Sequence, residues 1–109
     1  MNFLKRFFSS AIKNISSKEL EELLAKEKIT LLDVRTKQEY LGGHIKGARN
    51  FPLDQLEAYK EPKVGPLYVI CQSGMRSKRA ASLLSKKGYQ VINVRGGMSA
   101  YTGKIIGGK

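Results

Sequence analysis

A chain of 109 residues has room for one domain and too few residues for two independent cores. With 41% hydrophobic and 27% charged residues it is globular in composition, neither disordered nor fibrous. No apolar run approaches the ~20 residues of a bilayer span, which excludes an integral membrane helix. One cysteine, Cys71, excludes an intramolecular disulfide and a cysteine-rich zinc site. One histidine, His44, excludes paired-histidine metal motifs and leaves any Ser-His-Asp triad dependent on that residue. No cofactor is expected.

The formal charge of +11 is unevenly spread: every acidic residue lies within 1–61, and residues 62–109 carry nine basic residues and no acidic one. Such an excess suits anionic partners: a small anion, a nucleic acid, an acidic protein or a membrane surface.

In Met1–Asn14, the residues Phe3, Leu4, Phe7, Phe8, Ala11 and Ile12 recur at helical spacing among Lys5, Arg6 and Lys13. Ser9, Ser10 and the basic residues interrupt any signal-peptide core, so export is not expected and the cytoplasm is the default compartment. A basic amphipathic helix over residues 1–14 is suited either to packing on the domain or a second subunit, or to resting on an anionic membrane surface.

Farther along, short β-rich runs alternate with helical patterns, the pattern of a parallel sheet covered on both faces. Ser16 to Glu19 offers a capping box for a helix burying Leu20, Leu23 and Leu24. Thr30–Val34 reads as a buried strand, Lys37–Leu41 as about a turn of helix ended by Gly42-Gly43, and Ala48–Phe51 as a short strand stopped by Pro52. Asp54–Tyr59 suits a further short helix. Leu67–Cys71 is the clearest strand, followed by Gln72-Ser73-Gly74 and a helix over Arg76–Lys87 ended by Gly88. Val91–Val94 is another strand, and Gly96-Gly97 opens a last segment to Tyr101. The division expected is an N-terminal segment 1–14, a domain 15–101 and a flexible tail 102–109.

Cys71, at the carboxyl end of a strand, occupies the edge where open α/β sheets bind ligands. There its sulfur faces the first-turn N–H groups of the following helix, which favour an anion and hence the nucleophilic thiolate. Arg76, Lys78 and Arg79 place three positive charges in that first turn, against the dipole preference, as befits a helix facing a negative ligand. The plainer alternative is a buried structural cysteine ahead of a solvated basic helix.

These residues carry a family resemblance. Cys71-Gln72-Ser73-Gly74-Met75-Arg76-Ser77 resembles the active-site loop of rhodanese domains, the sulfurtransferases. Leu32-Asp33-Val34-Arg35, Glu39-Tyr40, Gly43-His44-Ile45-Lys46-Gly47-Ala48, Arg49-Asn50-Phe51-Pro52 and Val94-Arg95-Gly96-Gly97-Met98 supply further landmarks in order, over about residues 15–101. Tyr101 departs from the tryptophan that family members often carry there. The resemblance implies a three-layer α/β/α domain with a central, mainly parallel sheet. It implies a Cys71 thiolate that takes the outer sulfur of a small anionic donor such as thiosulfate. Sulfite leaves, and a cysteine persulfide hands its sulfur to cyanide, a thiol or a protein cysteine. The amides of Gln72, Ser73, Gly74, Met75, Arg76 and Ser77 are then expected to cradle that sulfur, and Arg76 to bind donor oxygens. Lys78 and Arg79 are candidates for steering. Asp33 and Arg35 are expected to pair with neighbours such as Glu39 and fix loops near the site, and His44 to be a hydrogen-bonded structural residue. Such a site requires amides turned toward the sulfur and a path from the sulfur to solvent.

Other activities fit less well. Phosphatases related to rhodaneses, and tyrosine phosphatases, have one more residue between cysteine and arginine than the four in Cys71-x4-Arg76, which leaves a cradle too tight for a phosphoryl group. A persulfide carrier would have the same loop, loaded by a cysteine desulfurase and unloaded to a tRNA- or cofactor-thiolating partner. A nucleic-acid-binding module is disfavoured, because Tyr68, Tyr89 and Tyr101 form no stacking run among the cations. A P-loop is absent.

Overall fold

The computed structural model describes residues 12–108. In chain order the elements are β1 (Lys13–Ser16), α1 (Ser17–Leu24), β2 (Thr30–Asp33), α2 (Lys37–Leu41), β3 (Arg49–Asn50) and a 3-10 segment (Leu53–Ala58). They continue with β4 (Leu67–Ile70), α3 (Met75–Lys86), β5 (Val91–Arg95) and α4 (Gly97–Ala100). The five strands form one sheet in the order β1-β5-β4-β2-β3, and every pairing is parallel. The carboxyl ends of β2, β4 and β5 therefore open at one edge. The expected α/β architecture is the one observed.

The period-two alternation of β4 divides the core. Leu67 and Val69 pack with Leu32, Leu56, Ala80, Ala81, Leu84 and Val91 on the face covered by α3 and the 3-10 segment. Ile70 packs with Leu20, Leu31, Ile45, Ala48 and Val94 on the face covered by α1. Neighbouring residues thus feed opposite layers, which is why these strands read as continuous apolar runs.

Helix boundaries follow local chemistry. Ser16 accepts from the Glu19 amide while the Glu19 carboxylate accepts from the Ser16 amide, the reciprocal capping box expected. At the far end of α3, Gly88 takes φ of 99°. Its amide donates to Ser85 O and that of Tyr89 to Leu84 O, closing the helix with a Schellman motif.

Two segments depart from expectation. Lys13 and Asn14, read as the end of an amphipathic helix, belong to β1 and pair with Ile92 and Asn93 of β5. Backbone pairing and the Asn93 Nδ2 to Asn14 Oδ1 bond (2.7 Å) fix this edge strand, and neither is visible in a local apolar count. Ile12 packs against the α3-side core, and residues 1–11, with the membrane-surface reading placed on them, lie outside the described residues. The 102–109 segment, expected as a flexible tail, is tied down at two points. His44 and Ile106 exchange backbone hydrogen bonds of 2.8 Å, and the Gly108 amide donates to Leu41 O at 2.8 Å. Among the described residues no helix is long and apolar enough to cross a membrane.

Leu84 is wholly buried between α3 and the sheet. Leu84→Ala should lower unfolding stability by about 2–5 kcal/mol in urea titration, the cost of a core truncation.

Candidate active site

The site is built from the turn between β4 and α3. After Ile70 the chain leaves the sheet at Cys71, crosses Gln72 and Ser73, and enters α3 through Gly74, whose φ of 106° is a left-handed conformation that side chains disfavour. That turn curls the backbone around the sulfur. The Gly74 amide donates to Cys71 Sγ at 3.0 Å and the Ser77 amide at 3.2 Å, while Sγ donates to the Ser77 hydroxyl at 3.5 Å and that hydroxyl donates to Gly74 O at 3.2 Å. Burial pushes the Cys71 thiol up, but the Ser77 hydroxyl and the amides of Ser77, Gly74 and Ser73 outweigh it, leaving the thiol below its ordinary value. Of the amides of residues 72–77, those of Gly74 and Ser77 donate to the sulfur.

A second layer holds the turn from outside. The α4 amides of Met98 and Ser99 donate to Cys71 O and Gln72 O, each at 2.8 Å. This approach leaves no space for a side chain at Gly97, where a Cβ would overlap the Cys71 carbonyl oxygen and lie 2.8 Å from Gln72 O. Gln72 is also gripped by its side chain, accepting from Arg35 Nη1 at 3.2 Å and donating to Ser99 Oγ at 3.3 Å.

Asp33 and Arg35 form a buried pair beneath the site. Arg35 donates Nη2 to Asp33 Oδ2 at 2.8 Å and Nε to Oδ1 at 3.0 Å, and its second Nη2 bond, to Gly43 O at 2.8 Å, ties down the α2 exit. They fix loops near the site as expected, but the expected pairing with Glu39 is not formed, because Asp33 is two residues away and already fills the guanidinium. His44, 1% exposed, stacks on Tyr40 with ring centroids 3.7 Å apart, and its Nδ1 lies 2.8 Å from Tyr40 O, a structural role.

Glu39 turns instead to the loop. Its carboxylate accepts Arg76 Nη1 at 2.7 Å and Nη2 at 3.0 Å in a two-pronged ion pair. The hydrogen bond from Arg76 is the main reason that the Glu39 carboxyl falls from 4.5 to about 2, against an opposing push from burial. The pair therefore stands at neutral pH, and its contribution to stability is lost only as pH falls from 4.5 toward about 2. Sequence reasoning missed this partnership: Glu39 stood out as a family landmark and as an expected partner of Asp33 and Arg35, and nothing local links it to a residue 37 positions on. Of the remaining predicted residues, Met75 stands 74% exposed at the mouth of the loop, and Lys78 and Arg79 are exposed on α3. Cys71 itself retains 1% of its surface. The residue is thus nearly enclosed.

Comparison with known proteins places this geometry. The rhodanese-like domain family model matches residues 16–104, and the chain belongs to that family. It is 46% identical over 81 residues to the uncharacterized protein YqhL of Bacillus subtilis, covering 72% of this chain and 64% of that one. The putative sulfur carrier protein YrkF of the same organism is 38% identical, over 88% of this chain and 54% of its own. The putative sulfurtransferase YtwF, again from B. subtilis, is 35% identical over 85% and 93% of the two chains. The chain thus spans less than two thirds of YqhL and about half of YrkF. Among solved structures, a rhodanese-like domain protein from Staphylococcus aureus superposes with a TM-score of 0.78 at 30% identity, over 90% of this chain and all of that one.

Gly97→Ala should lower stability by about 1–3 kcal/mol, because the loop carbonyls must retreat or the backbone strain. A calorimetric melt of the variant checks this, and a melt unchanged from wild type would show that the α4 contact is not tight.

Proposed function

We propose that this protein moves a sulfane sulfur from a donor to a thiophilic acceptor through a persulfide on Cys71. The observation that supports this most is the convergence of the Gly74 and Ser77 amides on Sγ. Those donors favour the thiolate at the start of the cycle, and they sit where a terminal persulfide sulfur would also need them. With thiosulfate, the thiolate forms a bond to the outer sulfur while the sulfur–sulfur bond of the donor breaks, and sulfite leaves with the electron pair. The acceptor, cyanide or a thiol, then attacks the outer sulfur of the persulfide and returns the Cys71 thiolate. Charge balances in both half-reactions, so no general base is required, and ping-pong kinetics follow. Ser77 holds the thiolate through its amide, and Gln72 keeps the loop in place through Arg35 and Ser99. As Cys71 is the chain's one cysteine, the acceptor comes from outside the chain. An unpaired thiol in this role suits a reducing compartment such as the cytoplasm.

A second reading shares every step but the small-molecule donor: the chain relays sulfur from a cysteine desulfurase to a thiolating partner. The occupied Arg76 fork favours it, since the cation best placed for a thiosulfate anion is already paired. The resemblance to a protein named as a putative sulfur carrier points the same way.

Intact-mass analysis tests the chemistry. Incubation with thiosulfate, or with a desulfurase and cysteine, should yield a species one sulfur atom heavier that cyanide returns to the starting mass. Cys71→Ser should fold and gain no sulfur from either source, whereas loading of that variant would place the nucleophile elsewhere.

A further inference from the structure

The donor problem turns on charge at the mouth of the loop. Arg76 follows Met75 and directly precedes Ser77, whose amide bonds the sulfur, so its guanidinium lies within electrostatic reach of the thiolate. Yet two of its five N–H donors are spent on Glu39 in parallel, at 2.7 and 3.0 Å, and the carboxylate cancels its charge. Glu39 does not reach Arg76 on a loose side chain. Its Oε1 also accepts from the Thr36 amide at 2.9 Å, so the α2 capping box fixes it from behind. Arg35, the guanidinium on the other side of Gln72, is likewise matched by Asp33. What holds an anion in the loop is thus a set of amides sized for one sulfur with one negative charge.

Donors differ in what they ask of that mouth. Thiosulfate arrives as a dianion, and its leaving sulfite spreads two charges over three oxygens, which a planar guanidinium fork is shaped to receive. A persulfide donor, R–S–SH, brings at most one charge at its reacting sulfurs, and its leaving sulfur carries no oxygens for the fork to bind. Resting on the Cys71 persulfide reading, we propose that Glu39 is a specificity-determining residue: by holding the fork of Arg76 it disfavours oxyanionic donors and leaves the site matched to small-molecule or protein persulfides. In the persulfide reaction the Cys71 thiolate bonds to the terminal sulfur, the donor's sulfur–sulfur bond breaks, and the donor leaves as its thiolate while the proton stays on the new persulfide.

The test compares thiosulfate with glutathione persulfide in wild type, Glu39→Gln and the double variant Glu39→Gln/Arg76→Ala. Glutamine retains the capping box, so α2 keeps its N-terminus. Freeing one charge-assisted site should raise the ratio of the thiosulfate to the persulfide specificity constant about tenfold in Glu39→Gln, mostly through a lower KM for thiosulfate. Removing Arg76 in addition should abolish that gain. Wild type by itself should load faster from the persulfide than from thiosulfate. An unchanged ratio in Glu39→Gln, or a gain that survives loss of Arg76, would overturn the role of Glu39 while leaving the persulfide chemistry standing. If neither donor loads Cys71 in wild type, the sulfur-transfer reading itself falls and this inference with it.

Discussion

A sulfur atom at the end of a buried strand is chemically idle unless something there prefers it charged, and in this protein that preference is made of backbone. Burial alone would hold Cys71 as a thiol. The turn through Gly74 reverses this by aiming the Gly74 and Ser77 amides at a single atom, beside the Ser77 hydroxyl. The rest of the structure serves that turn: the parallel sheet brings the ends of β2, β4 and β5 to one edge, α3 starts where the amides are needed, and α4 clamps the loop carbonyls through Met98 and Ser99. Gly97 is required because the clamp and the loop touch backbone to backbone.

Charge is handled with similar economy. The chain carries +11, but Arg35 and Arg76, the guanidinium groups seen to touch the loop or lie within it, are each paired with a carboxylate. The buried Asp33–Arg35 pair is positional: it orients Gln72 and ties the α2 exit to the end of β2. The half-exposed Glu39–Arg76 pair is worth little to stability, as pairs in contact with solvent are, and its consequence lies in which anions the loop accepts. Excess positive charge lies elsewhere, as at the exposed Lys78 and Arg79 of α3, where it suits encounter with an acidic partner more than binding at the sulfur.

Much of this was legible in the sequence where the cause is local. The strand Leu67–Ile70 is an apolar run bounded by turn residues, α3 ends at a glycine, and the Cys71–Ser77 loop carries its own signature. What escaped depends on partners distant in the chain. Lys13–Ser16 holds one apolar residue in four and became a strand because β5 offers it an edge. Ile106 is held by the backbone of His44, which no composition of the glycine-rich tail reveals. Glu39 was assigned to Asp33 and Arg35 nearby, so its partner Arg76 across the site had no signature to read. The burial of Cys71 is likewise a property of the folded turn.

The claim on which all else rests is that folded backbone donors keep the Cys71 sulfur ionised. Labelling the cysteine with 13C at Cβ and following its resonance through a pH titration of the intact protein measures this directly, because Cys71 is the one cysteine present. The account predicts a single inflection below the about 8.5 of an unperturbed cysteine. An inflection at or above that value would mean that burial has won over the amides, and that the loop stores a thiol.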